Sequence, residues 1–154
     1  MKKEKNNSID IQNRKASFEY HFLDTIEAGI VLLGTEVKSL RQNGANISDA
    51  YCYVSKGEMF IKNMHISMLK NVGDNQHEPL RERKLLLSKK QIRKLVNELK
   101  NQGLTIVPVS LYTNSRGLVK IKIALAKGKK LFDKRDSIKA KDVKRETDRA
   151  LKGI

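Results

Sequence analysis

Glu27-Ala28-Gly29-Ile30-Val31-Leu32-Leu33-Gly34-Thr35-Glu36-Val37-Lys38-Ser39-Leu40-Arg41 changes its hydrophobic period halfway, from an unbroken apolar run to spaced apolar positions. Ile30 to Leu33, held between Gly29 and Gly34, has the composition of a short strand covered on both faces. β-branched Ile30 and Val31 favour strand where period alone is silent. Thr35 then offers the side chain of an N-cap, Val37 and Leu40 lie three apart on one helical face, and Asn43-Gly44 ends the helix. The stretch therefore predicts a buried strand running into a short helix turned to the core. Glu27 stands at the mouth of that strand in a chain of formal net charge +15. It reads either as a solvated or ion-paired carboxylate or as an acceptor for base and ribose donors.

Towards the amino end, residues 1 to 13 form a polar, basic arm expected to stay unstructured until it meets a partner, and Tyr20 to Phe22 begin the first strand. Towards the carboxyl end, Ala50 to Val54 and Met59 to Lys62 flank the turn signal Ser55-Lys56-Gly57 and predict a hairpin. Asn71 to Glu82 is a polar loop leading into Arg83-Lys84 and the apolar triplet Leu85-Leu86-Leu87. Ser88 with Gln91 supplies a capping box for a helix whose Ile92, Leu95, Val96 and Leu99 repeat at helical spacing, closed by Gly103. Its Lys89, Lys90, Arg93 and Lys94 read mostly as solvated surface, with a phosphate track as the alternative. Ile106 to Tyr112 and Leu118 to Ala126 are strands joined by Asn114-Ser115-Arg116-Gly117. In the second, Val119, Ile121, Ile123 and Leu125 face inward and leave Lys120 and Lys122 outside. Short antiparallel strands interrupted by two helices fit a mainly β, α+β architecture, a small barrel of the oligonucleotide-binding (OB) kind with packed helices.

The 154 residues suffice for one domain, divided as a basic arm (1–13), a barrel with helices (14–126) and a basic tail (127–154). Lys and Arg number 32 against 17 acids, which points to a polyanion, nucleic acid ahead of membrane. The chain lacks both an apolar run of about 18 residues and a signal peptide, so a cytoplasmic place is expected. Cys52 falls in a strand-like run as a small buried hydrophobe, and His21, His65 and His77 are too scattered to suggest a metal site. No cofactor and no enzymatic activity are expected. The chain offers no convincing clustered acid and base, and Gly128-Lys129-Lys130 lacks the preceding glycine and following Ser or Thr of a phosphate-binding loop. The tail should not fold alone, yet on a helix Lys134, Lys141, Arg145, Arg149 and Lys152 form one basic stripe, so it is expected to become helical against RNA phosphates.

Seven segments together resemble the SsrA-binding protein (small protein B, SmpB) family. They are Asn13-Arg14-Lys15-Ala16, Glu27 through Arg41, Asn63-Met64-His65-Ile66-Ser67, Arg83-Lys84-Leu85-Leu86-Leu87, Ser110-Leu111-Tyr112, Ala124 through Lys130, and Asp133-Lys134-Arg135. The resemblance implies a non-enzymatic role in trans-translation. Its RNA partner would be the tRNA-like domain of transfer-messenger RNA (tmRNA), delivered to stalled ribosomes. It also implies contact with small-subunit ribosomal RNA, an elongation factor carrying GTP on the charged tmRNA, no membrane partner and a monomeric state. By position, Asn13, Glu27, Leu86 and Lys120 resemble the residues that contact tmRNA. Leu86 either packs under a splayed base or belongs to the core. Phe132, Asp133, Lys134 and Arg135, with Lys141, Arg145 and Arg149 of the stripe, are assigned to the decoding centre and messenger path. Phe132 and Ser17-Phe18 depart from the family pattern, where His or Tyr and Arg-His are common. A general ribosomal or single-stranded RNA-binding protein of the OB type is the rival reading.

Overall fold

Period-two alternation along three long stretches and a tight Lys56-Gly57 turn sort the chain into strands, which the computed structural model describes for residues 8–70, 76–101 and 103–129. The elements among them are β1 (Asp10–Gln12), α1 (Arg14–Glu19), β2 (Tyr20–Ile30), α2 (Gly34–Asn43), β3 (Tyr51–Ser55), β4 (Glu58–Lys62), β5 (Arg83–Leu86), α3 (Lys89–Glu98), β6 (Leu104–Thr113) and β7 (Val119–Gly128). All neighbouring strands pair antiparallel, in the order β1-β6-β3-β4-β5-β2-β7, and β6 pairs with β7 as well. The hydrogen-bonded order from β6 through β7 thus returns to its start, with β1 added beside β6. The architecture is mainly antiparallel β with three helices, of the α+β kind, among the described residues.

Inward alternation on β7 puts Ile121, Ile123 and Leu125 in the core with Met59, Ile61, Leu85, Ile106 and Leu111. Leu40 of α2 and Leu95 of α3 close over the same core. Cys52 is buried within it, and burial pushes its thiol up, away from reactivity. At the β3–β4 turn Lys56 and Gly57 both have positive φ (52° and 76°), the conformation that matches strand twist in a two-residue hairpin. Ser88 Oγ accepts from Gln91 N–H and the Ser88 N–H donates to the Gln91 side-chain oxygen in return, which starts α3 where the capping box predicts.

Three local expectations are corrected. The arm is ordered from Ile9 onward: Ile9 is buried and β1 pairs with β6, because Ile9 and Ile11 supply apolar anchors to a segment that otherwise looks polar. β2 ends at Ile30 rather than Leu33, and Val31 and Leu33 are half exposed. Thr35 does not cap α2. The helix begins at Gly34, the Leu33 N–H donates to the Glu36 carboxylate at 2.7 Å, and Thr35 Oγ1 bonds His77 instead. The physical reason is Glu36. It lies fully buried in an ion cluster with Arg83 and Arg81. Val31 N–H still reaches Lys84 O of β5, but Val31 O accepts from Arg81 and Leu33 N–H turns to Glu36, so the ladder gives way to the cluster within three residues of Ile30.

α1 is a third helix that no apolar period announces, since Ala16 is its only buried residue. It lies outside the sheet, where Ala16 packs on Val107 and Ala126 beside Tyr20 and Phe22. Asn13 holds it there. β6 slips register between Pro108 and Ser110, as a proline that cannot donate to the ladder requires, and the side chain of Asn13 captures the Pro108 carbonyl at 2.8 Å and the Ile47 carbonyl at 3.1 Å. Its own carbonyl accepts from Ala16 N–H at 3.0 Å as the N-cap. Asn13→Ala is expected to lower stability by about 3 kcal/mol, the sum of a lost cap and buried carbonyls left without donors, measurable as a lower urea midpoint.

Candidate nucleic-acid interface

Register brings the exterior residues of five neighbouring strands into two rows. Asp10, Tyr112, Lys120, Gly29 and Leu86 are aligned across β1, β6, β7, β2 and β5, and Gln12, Ser110, Lys122 and Glu27 form the row beside them. Their sequence neighbours Leu111, Ile121, Ala28 and Leu85 point into the core, which turns this set to the opposite face of the strands, where Ser110 is the member that remains buried. Three of the four tmRNA-contact residues implied by the resemblance, Glu27, Leu86 and Lys120, are therefore brought onto one surface. Leu86 belongs to that surface rather than to the core, at 53% exposure. It lies across Gly29, where an added Cβ would sit 3.2 Å from the Leu86 Cβ, so glycine leaves it room to lie flat. Leu86 and Lys120 also line one shallow hollow with Leu118.

Tyr112 is the residue of this face that sequence reading did not single out. Its hydroxyl donates to the Glu27 carboxylate diagonally over β7, between Lys120 and Lys122. Burial, then the hydrogen bond to Glu27 and the charge of Glu27, push the phenol up to about 12. It stays a donor at neutral pH and holds Glu27 pointed along the face. The outward position of Tyr112 is legible from strand alternation, but its partner 85 positions away is not. Lys122 lies directly opposite Glu27, so two lysines flank the carboxylate, and with Asp10 the two rows carry two cations and two carboxylates.

Asn13 is not on this surface. It is 3% exposed, and its amide is committed to the two buried carbonyls described above. Phe132, Asp133, Lys134, Arg135, Lys141, Arg145 and Arg149, with their expected helix, lie outside the described residues. Among the described residues no group of His, Cys, Asp and Glu is arranged to hold a metal ion, and no helix is long and apolar enough to cross a membrane.

Lysines, a phenol-held carboxylate and an exposed leucine stand side by side on the strand exteriors of a small, strongly basic antiparallel β protein, a combination that suits the nucleic-acid-binding class. The family model described as SmpB protein matches residues 10–153, and the chain belongs to the SmpB family. The SsrA-binding protein of Phocaeicola vulgatus is 55% identical over 144 residues, 94% of this chain and 96% of the relative. That of Parabacteroides distasonis is 49% identical over 152 residues, 99% of each chain. That of Thermosipho africanus is 51% identical over 140 residues, 91% of this chain and 94% of the relative. A solved structure described as "tmRNA-SmpB: a journey to the center of the bacterial ribosome" superposes with TM-score 0.68 at 37% identity, over 84% of this chain and 94% of that one.

Proposed function

We propose that the protein binds the tRNA-like domain of tmRNA and delivers it to stalled ribosomes for trans-translation, as a non-enzymatic cytoplasmic partner. The observation that carries the reading is the exterior face on which Glu27, Leu86, Lys120 and Tyr112 converge. Relatives named SsrA-binding protein and a likeness to a tmRNA-SmpB structure support it. The closed order of six antiparallel strands supports reading residues 14–126 as an OB-like barrel, extended by β1.

On that barrel Lys120 meets phosphate, the Glu27 carboxylate accepts from base or ribose donors, and Leu86 packs under a splayed base. Asn13 acts by securing α1 and the β6 bulge rather than by touching RNA. β7 runs on to Gly128, two residues past the boundary expected from the sequence, and the basic chain that follows it is the ribosome-reading tail. In it Asp133, Lys134 and Arg135 act at the decoding centre, Phe132 stacks on a ribosomal base, and Lys141, Arg145 and Arg149 follow the messenger path. The monomer travels with an elongation factor and GTP on the charged tmRNA.

Competition binding tests this reading. Preference for the elbow of a tRNA-like RNA over unstructured RNA of equal length should persist at elevated salt, where sequence-independent phosphate binding fades. Equal loss on both RNAs favours a general RNA binder. Glu27→Ala and Lys120→Ala are each expected to weaken tmRNA binding about tenfold, the worth of one charge-assisted contact, with unchanged thermal unfolding. Unchanged affinity in both variants would remove the face from the interface.

A further inference from the structure

Another hollow region lies away from the two rows. It is a groove of about 950 Å³ between the tip of the β3–β4 hairpin and α3. Its floor is aliphatic, from Val54, Ile92 and Val96, and its rim is cationic, with Lys56 on the hairpin side and Lys89, Arg93, Lys94 and Lys100 on the other. Lys89, Arg93 and Val96 follow one another at helical spacing along one stripe of α3, and Lys100 stands just beyond its end.

Two neighbouring ion pairs leave most of this charge free. Glu58 at the rim takes Lys84 at 3.0 Å, and Lys94 is held by Asp24 at 3.4 Å. Lys56, Lys89, Arg93 and Lys100 have no carboxylate partner among the described residues. A second hollow, lined by Glu58, Lys84, Leu86, Lys89 and Ile92, joins the groove to Leu86, and Leu86 in turn lines the hollow that holds Gly29 and Lys120. The three hollows thus share lining residues from Lys120 to Lys100, apolar around Leu86 and cationic along α3.

We propose that this groove is a sequence-independent RNA-backbone site, along which the RNA that occupies the Glu27 face runs on past Leu86 onto α3. The inference rests on the reading of that face as an RNA surface. Backbone rather than base recognition follows from the lining: no aromatic ring offers a stacking platform, while flexible cations stand above aliphatic carbon. The solvated-surface reading of the α3 cations gives way for Lys89, Arg93 and Lys94 because they line one groove, and Lys89 also lines the hollow that reaches Leu86.

The test is a salt titration of tmRNA binding by the full chain and by Lys89→Ala/Arg93→Ala/Lys100→Ala, with the charge-keeping variant Lys89→Arg/Arg93→Lys/Lys100→Arg as control. Removing three phosphate contacts should lower the slope of log K against log salt by about 2 and the affinity at 0.1 M salt by roughly 100-fold, converging near 1 M, with the control at the parental slope. Parental slope and affinity in the alanine variant would overturn the proposal, including where an acidic peptide is found to bind the groove instead. A slope lowered equally in the charge-keeping control would overturn it too, since damage to α3 rather than loss of charge would then be responsible. A parental chain without preference for tmRNA in the competition measurement would overturn the underlying reading, and that outcome is scored before any variant is compared.

Discussion

Glu36→Ala is expected to destabilise the fold by about 4 kcal/mol, because it strands a fully buried guanidinium without its counter-charge. Arg83 is 0% exposed and donates Nε to Glu36 at 2.5 Å, with its remaining nitrogens on Met64 O at 2.7 Å and Pro79 O at 3.2 Å. Arg81 approaches the other carboxylate oxygen at 2.5 Å, and the Leu33 N–H adds a third donor group. One carboxylate therefore ties α2 to β5 and to the segments at Met64 and Pro79, and β5 is the strand that presents Leu86. Urea unfolding should show the loss, and Glu36→Leu combined with Arg83→Met should recover much of it, since matched apolar replacement of a buried pair is often tolerated. A cost below about 1 kcal/mol for the single variant would remove the cluster from the stability account.

The same carboxylate gives stability a pH dependence whose sign follows from its environment. Burial works to raise the Glu36 pKa, but hydrogen bonds from Arg81, the Leu33 N–H and Arg83 outweigh it and hold the group below its ordinary value of 4.5. Because the folded pKa is the lower one, its contribution is complete above the unfolded value and drains away as pH falls through the folded one. Acid unfolding of the parent should therefore steepen below about pH 4.5, and the Glu36→Leu/Arg83→Met chain should lack that part of the dependence.

Replacing Asp133, Lys134 and Arg135 together by alanine is expected to abolish peptide tagging on stalled ribosomes. Affinity for free tmRNA should stay within about a factor of two, since charges off the binding face add only screened attraction. This is the largest functional effect anticipated for any variant, and it follows from the proposed division of labour, in which the β body grips the RNA and the tail does the reading inside the ribosome. Tagging in a reconstituted rescue reaction and binding to isolated tmRNA, measured on the same preparation, separate the two steps. Normal tagging by this variant would end that division of labour. Glu27→Ala should give the opposite pattern, with weaker binding and tagging restored at high tmRNA concentration.

Local signals were sufficient wherever a residue's partner lies within a turn or on the next strand. Ser88 with Gln91, the Lys56-Gly57 turn, Gly44 after α2 and the inward set Ile121, Ile123 and Leu125 all belong to this kind, and they carried the antiparallel α+β class. The resemblance of short segments carried the family. α1 and β1 escaped because each offers too few apolar positions to register as a period and is stabilised by contacts with β6 about a hundred residues away.

By itself, then, the sequence determined the strand and helix periods, the basic character and the family, because each is a property of neighbours along the chain. Only the tertiary structure decided that Leu86 is surface, that Asn13 is a buried clamp and that Tyr112 holds Glu27. It also decided that Glu36 is buried against Arg83 instead of leaving its helix for solvent. Each of those depends on which distant backbone comes within hydrogen-bonding range. That follows from sheet register and burial, which no spacing of residues along a strand can specify.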